Sequence, residues 1–84
     1  MPKETTVFVT ANNDQNKLAM EALRHRLLIR TMEEWSFEDD LELRCHTQFF
    51  EDGAEYNFIQ IVKKVLSEMI DTGELKDNIS VSME

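Results

Sequence analysis

The stretch DGAEYNFIQIVKKVLSEMID, Asp52–Asp71, decides the fold because it reads in two ways. Wound as a helix at about 100° per residue, it places Phe58, Ile59, Ile61, Val62, Val65, Leu66, Met69 and Ile70 in one half of the wheel. Asn57, Gln60, Lys63, Lys64, Ser67 and Glu68 fall in the other. Asp52 stands three residues before Glu55, a capping-box spacing with Asp in place of Ser or Thr. Thr72-Gly73 supplies a stop, since Gly adopts positive φ without steric cost. Read the other way, Asp52-Gly53 is a hairpin signal. Ala54–Val62 is then a strand, and only Lys63–Thr72 is helical. The clean half-wheel segregation favours the long helix.

Upstream, LELRCHTQF (Leu41–Phe49) alternates. Leu41, Leu43, Cys45, Thr47 and Phe49 share one face; Glu42, Arg44, His46 and Gln48 share the other. That period of two predicts a strand in a sheet covered on one side only. TTVFVTA (Thr5–Ala11) and NISVSM (Asn78–Met83) alternate in the same way. Between the first two strands, Asp14 to about Trp35 lacks Pro and Gly and is rich in helix formers, with Asn12, Asn13 or Asp14 as candidate caps. Its apolar stripe starts at Met20, Leu23 and Leu27 and drifts toward Leu28, Met32 and Trp35. This fits one long helix, or a helix that bends or ends near Arg30.

The expected fold is therefore one small two-layer α+β domain over residues 1–84, with two helices on one face of a three-stranded sheet, in the order β-α-β-α-β. Complete helical returns make its strands parallel. The hairpin reading of Asp52-Gly53 gives the alternative, a ferredoxin-like β-α-β-β-α-β order.

The 84 residues hold 9 Lys and Arg against 17 Asp and Glu, a net charge of −8. Residues 1–32 carry five basic and three acidic side chains; residues 33–84 carry four and fourteen. The sign changes at Glu33. Such a chain is repelled by phosphate backbones and by anionic membrane surfaces, so direct nucleic-acid or membrane binding is not expected. No apolar run reaches membrane-spanning length, and MPKETT lacks the apolar core of a secretory signal. A single cysteine forms no internal disulfide, and a reducing, cytoplasmic setting is expected.

Few residues suggest chemistry. Cys45 and His46 are adjacent on a strand, so their side chains point to opposite faces and cannot act as a nucleophile–base pair. The two histidines lack metal-ligand spacing, and the acids of Glu33–Glu42 lack the alternation and turn glycine of a calcium loop. No cofactor or metal is implied, and no catalytic residue is assigned. Arg24, Arg26 and Arg30 form a basic group on the first helix, which suits either a nucleic-acid-binding module or a solvated helix paired with Glu33 or Glu34.

The remaining candidate is EEWSFEDDLE, Glu33–Glu42, with six carboxylates around one Trp and one Phe. Its plain reading is a polar connection from helix to strand. However, acids near a helix C-terminus are electrostatically unfavourable, and rings framed by carboxylates suit docking on a basic surface. A second cluster, Glu51, Asp52 and Glu55, lies one strand length away, so two negative patches could imitate a duplex backbone. The expected function is a non-enzymatic binding or regulatory protein that inhibits or recruits a basic, nucleic-acid-handling partner. Its partner-binding residues are Glu34, Trp35, Phe37, Glu38, Asp39 and Asp40. A homodimer and a small subunit of an enzyme complex are further expectations.

The helical wheel carries a direct test. Val65→Asp buries an unpaired carboxylate and is expected to destabilise the fold by about 3 kcal/mol or more. A urea melt with the wild-type midpoint would show the helix face to be misassigned.

Overall fold

The structure, a computed structural model, describes residues 2–84. Lys3–Ala11 forms strand β1, and Asp14–Ala19 a 3-10 helix that runs into helix α1, Met20–Thr31. Ser36–Asp39 forms β2, Glu42–Phe49 β3, Ala54–Asp71 helix α2 and Ile79–Met83 β4. The strand order is β2-β3-β1-β4, with every neighbouring pair antiparallel. This is a small α+β domain with two helices and an antiparallel sheet.

The sheet has four strands, not the expected three. The added strand is SFED, Ser36–Asp39, which folds back on β3 through the turn at Asp40-Leu41. Asp39 Oδ1 closes that turn by accepting from the Leu41 N–H at 2.8 Å, so the side chain does the work that a glycine does in other hairpins. The expected parallel pairing is also absent. β1 and β2 run in the same direction but β3 lies between them; β3 and β4 likewise flank β1. The order is thus β-α-β-β-α-β, two split β-α-β units interleaved. Its hairpin lies at Asp40-Leu41 and not at Asp52-Gly53.

Ala54–Asp71 is helical throughout, as its wheel requires, and buries Phe58, Val62, Val65, Leu66 and Met69. The expected capping box does not form. Gly53 takes the N-cap with φ of 86°, and no side chain caps the helix. Glu55 instead pairs with Lys3 Nζ at 2.9 Å. The first helical segment stops at Thr31, short of Trp35, where Met32 turns left-handed with φ of 61°.

The core lies between helices and sheet. Val7, Val9, Ala11, Leu43, Cys45 and Phe49 face Met20, Leu23 and Leu27 of α1 and the buried side of α2. The opposite sheet face is open. It carries Thr6, Phe8 and Thr10 from β1 and Arg44, His46 and Gln48 from β3, none of them fully buried.

One polar side chain is locked into this frame. Asn16, 1% exposed, accepts from the Lys76 N–H at 2.7 Å and donates to the Lys76 carbonyl at 3.2 Å. The amide satisfies both main-chain groups of a residue 60 positions away, tying the 3-10 helix to the approach to β4. Asn16→Ala leaves those groups without their partners and is expected to cost about 2–3 kcal/mol in a chemical melt. Asn16→Asp keeps the acceptor, loses the donor and adds a buried charge, so it should be no better tolerated than alanine.

Candidate functional site

The acidic stretch becomes the outer hairpin of the sheet. All four residues of β2 are exposed, and β2 is an edge strand. Ser36 stands opposite Arg44, and Phe37 opposite Leu43. Residues opposite each other in an antiparallel pair share a face. Ser36 and Glu38 therefore lie on the open face, and Phe37 lies on the helix side at the margin of the core, 45% exposed.

The carboxylates are exposed along this edge. Glu38 lies 3.5 Å from Arg44 Nε, a pair open to solvent and worth no more than about 1 kcal/mol. Asp39 is engaged with the turn. Glu34 and Asp40 are exposed and, among the described residues, have no cation within ion-pair distance. Glu42 is turned inward and accepts from Thr10 Oγ1 at 2.6 Å.

Trp35 departs from its expected role as an anchor at the surface. It is 3% exposed and stacks on Phe58 with centroids 6.1 Å apart and planes 13° from parallel. Its indole Nε1–H donates to Thr31 Oγ1 at 3.1 Å, so the ring brings its polar group into the core already satisfied. Phe58 in turn meets Phe49 edge to face at 5.4 Å. Of the two rings, only Phe37 is available to a partner.

A cleft of about 280 Å³ opens on the β2 side of the sheet, lined by Glu34, Trp35, Ser36, Arg44 and His46. Thr6 Oγ1 lies 3.0 Å from His46 Nδ1 and so orients the imidazole. Arg44 and His46 were not singled out by sequence as partner-binding residues. Their signal was present, in that they sit two residues apart on the polar face of the clearest alternating strand.

Cys45 and His46 point to opposite faces, as their adjacency on a strand requires. Cys45 is buried, and desolvation, reinforced by the Glu33 carboxylate, pushes its thiol up to about 12. A thiol in that state is neutral at physiological pH and serves as a small apolar side chain. Among the described residues no group of three or more His, Cys, Asp or Glu is placed to hold a metal ion. No helix among them is long and apolar enough to cross a membrane.

The basic group of α1 is spent on ion pairs. Arg24 binds Glu21 at 2.5 Å, Arg26 binds Glu74 at 2.6 Å and Arg30 binds Glu68 at 2.9 Å. Arg30 thus reaches across to α2 and not to Glu33 or Glu34. Arg24 holds the Glu21 carboxyl below its usual range through a direct hydrogen bond. Hydrogen bonds from Thr72 and Arg26 do the same for Glu74.

Comparison with known proteins gives no match to any family model, curated protein or solved structure.

The two rings of the acidic stretch are expected to separate under mutation. Trp35→Ala removes the stack on Phe58 and should cost about 3–5 kcal/mol. Phe37→Ala, at the half-open margin, should cost less than about 1 kcal/mol. Equal losses in parallel thermal melts would show that the two rings are not divided between core and margin in this way.

Proposed function

We propose that this chain is a non-enzymatic binding protein that docks the outer hairpin, with Glu34, Phe37, Glu38, Asp39 and Asp40, on a basic protein partner. One observation carries the reading. The edge strand β2 exposes every one of its residues and is flanked by carboxylates, of which only Glu38 has a cation at hand. Natural edge strands carry charges to prevent indiscriminate pairing, but those charges also select an oppositely charged partner. Phe37 offers an aromatic contact in the middle of the charged rim, a common arrangement at binding hot spots.

The distribution of charge supports the same reading. On the helix side, carboxylates meet the three arginines of α1 and the field largely cancels. On the hairpin side it does not cancel. Glu51 and Asp52 form a second exposed group beyond the other end of β3, an eight-residue strand that spans roughly 25 Å. Two negative groups at that separation suit a partner that handles nucleic acid, whose basic surface the protein would occupy in place of a phosphate backbone. The ion pairs on Arg24, Arg26 and Arg30 weigh against the alternative of a nucleic-acid-binding module on α1.

The test uses Glu38→Gln, Asp39→Asn and Asp40→Asn together. The amide introduced by Asp39→Asn retains the acceptor that closes the turn, so stability should hold or rise slightly as like-charge repulsion is relieved. A partner captured from host extract on the wild-type protein should associate with the triple variant about tenfold more slowly, with dissociation little changed. Association with the wild type should itself slow as salt is raised. Wild-type association by the triple variant would remove the hairpin from the interface. Measurable, salt-sensitive affinity of the wild type for a short DNA or RNA duplex would instead favour the arginines of α1.

A further inference from the structure

The sheet has a gap in its edge. Thr6 and Glu84 exchange both main-chain hydrogen bonds at 2.9 Å, so the even residues of β1 bond toward β4 and the odd ones toward β3. The Ala11 N–H bond to the Leu41 carbonyl at 2.8 Å fits the same parity. On β3 it follows that the odd residues serve β1 and the even residues face outward, to β2. β2 covers Glu42 and Arg44 and then stops, with Ser36 opposite Arg44. β3 runs on to Phe49. Among the described residues, no strand lies beyond His46 and Gln48 on that side. Their outward N–H and C=O groups are unpaired by the sheet, and the cleft lined by Glu34, Ser36, Arg44 and His46 lies at the β2 end of this gap.

We propose that this gap is a strand-addition site for an extended segment of the basic partner, lying in line with β2 and pairing with His46 and Gln48. The inference rests on the docking reading above and specifies how the partner engages. Main-chain pairing along an exposed edge supplies affinity that does not depend on side-chain sequence, and the positions to either side supply selectivity. Both ends of the gap are acidic, with Glu33 and Glu34 before it and Glu51 and Asp52 after it. Extending the β2 register puts Trp35 opposite Cys45, beside the slot. A residue of the segment opposite Thr47 points to the helix side, next to the Trp35, Phe49 and Phe58 rings. The segment that fits has an apolar residue at that position and Lys or Arg toward its ends. A second copy of this chain fits poorly, because β2 would bring Glu38 and Asp39 against the same acids.

The probe is a blocked octapeptide of alternating Lys and Val, titrated into the isotope-labelled full chain at about physiological ionic strength. Amide shifts are expected at His46, Thr47 and Gln48, with at least a tenfold slowing of exchange for the His46 and Gln48 N–H groups. Methylating the peptide nitrogens that face β3 should weaken binding at least fivefold, which is the loss of one or two hydrogen bonds of about 1 kcal/mol. Gln48→Pro should do the same from the protein side, since a proline is tolerated where the N–H points away from the sheet. The methylated peptide gives the answer on the wild-type protein even if that variant does not fold. Shifts confined to Glu38–Asp40 would overturn the strand-addition site and leave the docking surface standing. No shifts in either region would overturn both, and equal binding by the methylated peptide would overturn the pairing.

Discussion

The fold turns on where the Trp35 side chain goes. An indole among acids costs little in solvent, yet this one is drawn beneath the sheet margin, stacked on Phe58 and hydrogen-bonded to Thr31. Thr31 is the last residue of α1 and Phe58 lies in the second turn of α2, so one ring ties the end of one helix to the start of the other. The chain can become a strand only after that anchor, at Ser36, one residue later. The length of β2 and the reach of its pairing follow from this. β2 is short because Trp35, the residue that would extend it, is committed to the core. The bare end of β3 is the result.

The charge pattern is a second consequence of the same layout. The helices lie side by side, so the arginines of α1 fall within reach of Glu68 and Glu74 on and just beyond α2. Exposed pairs of this kind contribute little stability each. What they do is neutralise the helical layer. The hairpin lies at the far edge of the sheet, beyond the reach of those cations, and keeps its charge apart from the single contact at Arg44. The first third of the sequence is basic and the rest acidic, but in space the separation is between the paired helical layer and the unpaired edge.

Much of this was legible in the sequence. The half-wheel of α2 favours a helix over a hairpin and the alternation of β3 requires a strand, and the buried sets match the expected faces at Val62, Val65, Met69, Leu43 and Cys45, with Ile61 left exposed at the margin of the wheel. β2 was not legible. SFED has one apolar residue, no β-branched residue and no flanking glycine, and its strand character comes from β3 beside it and not from its own composition. Of the 3-10 segment DQNKLA, the Asn13 cap was legible and forms, accepting from the Gln15 N–H, but the 3-10 turn itself was opaque, since the Asn16 clamp that holds it is a contact with no helical period. In the candidate site, the exposure of Glu34, Glu38, Asp39 and Asp40 agreed with their charge. Trp35 was misread because its neighbours are polar. The decisive sign was the acceptor for its indole N–H, a threonine four residues earlier, which means something only once the helix is known to stop between them.

The placement of β1 sets the order of events during synthesis. It precedes the other three strands in sequence, yet it occupies an inner position of the sheet, with β3 on one side and β4 on the other. When the ribosome has produced β1 and α1, neither neighbour exists. β3 closes one flank first, and the other flank stays open until Ile79–Met83 is released. Pairing between sequence-distant strands is slow because the loop must close before any contact rewards it. The alternation of Val7 and Val9 that makes β1 a good inner strand also makes it a sticky one in the nascent chain. The flank is sealed by β4 and by the Asn12–Asn78 and Thr6–Glu84 main-chain bonds that frame it.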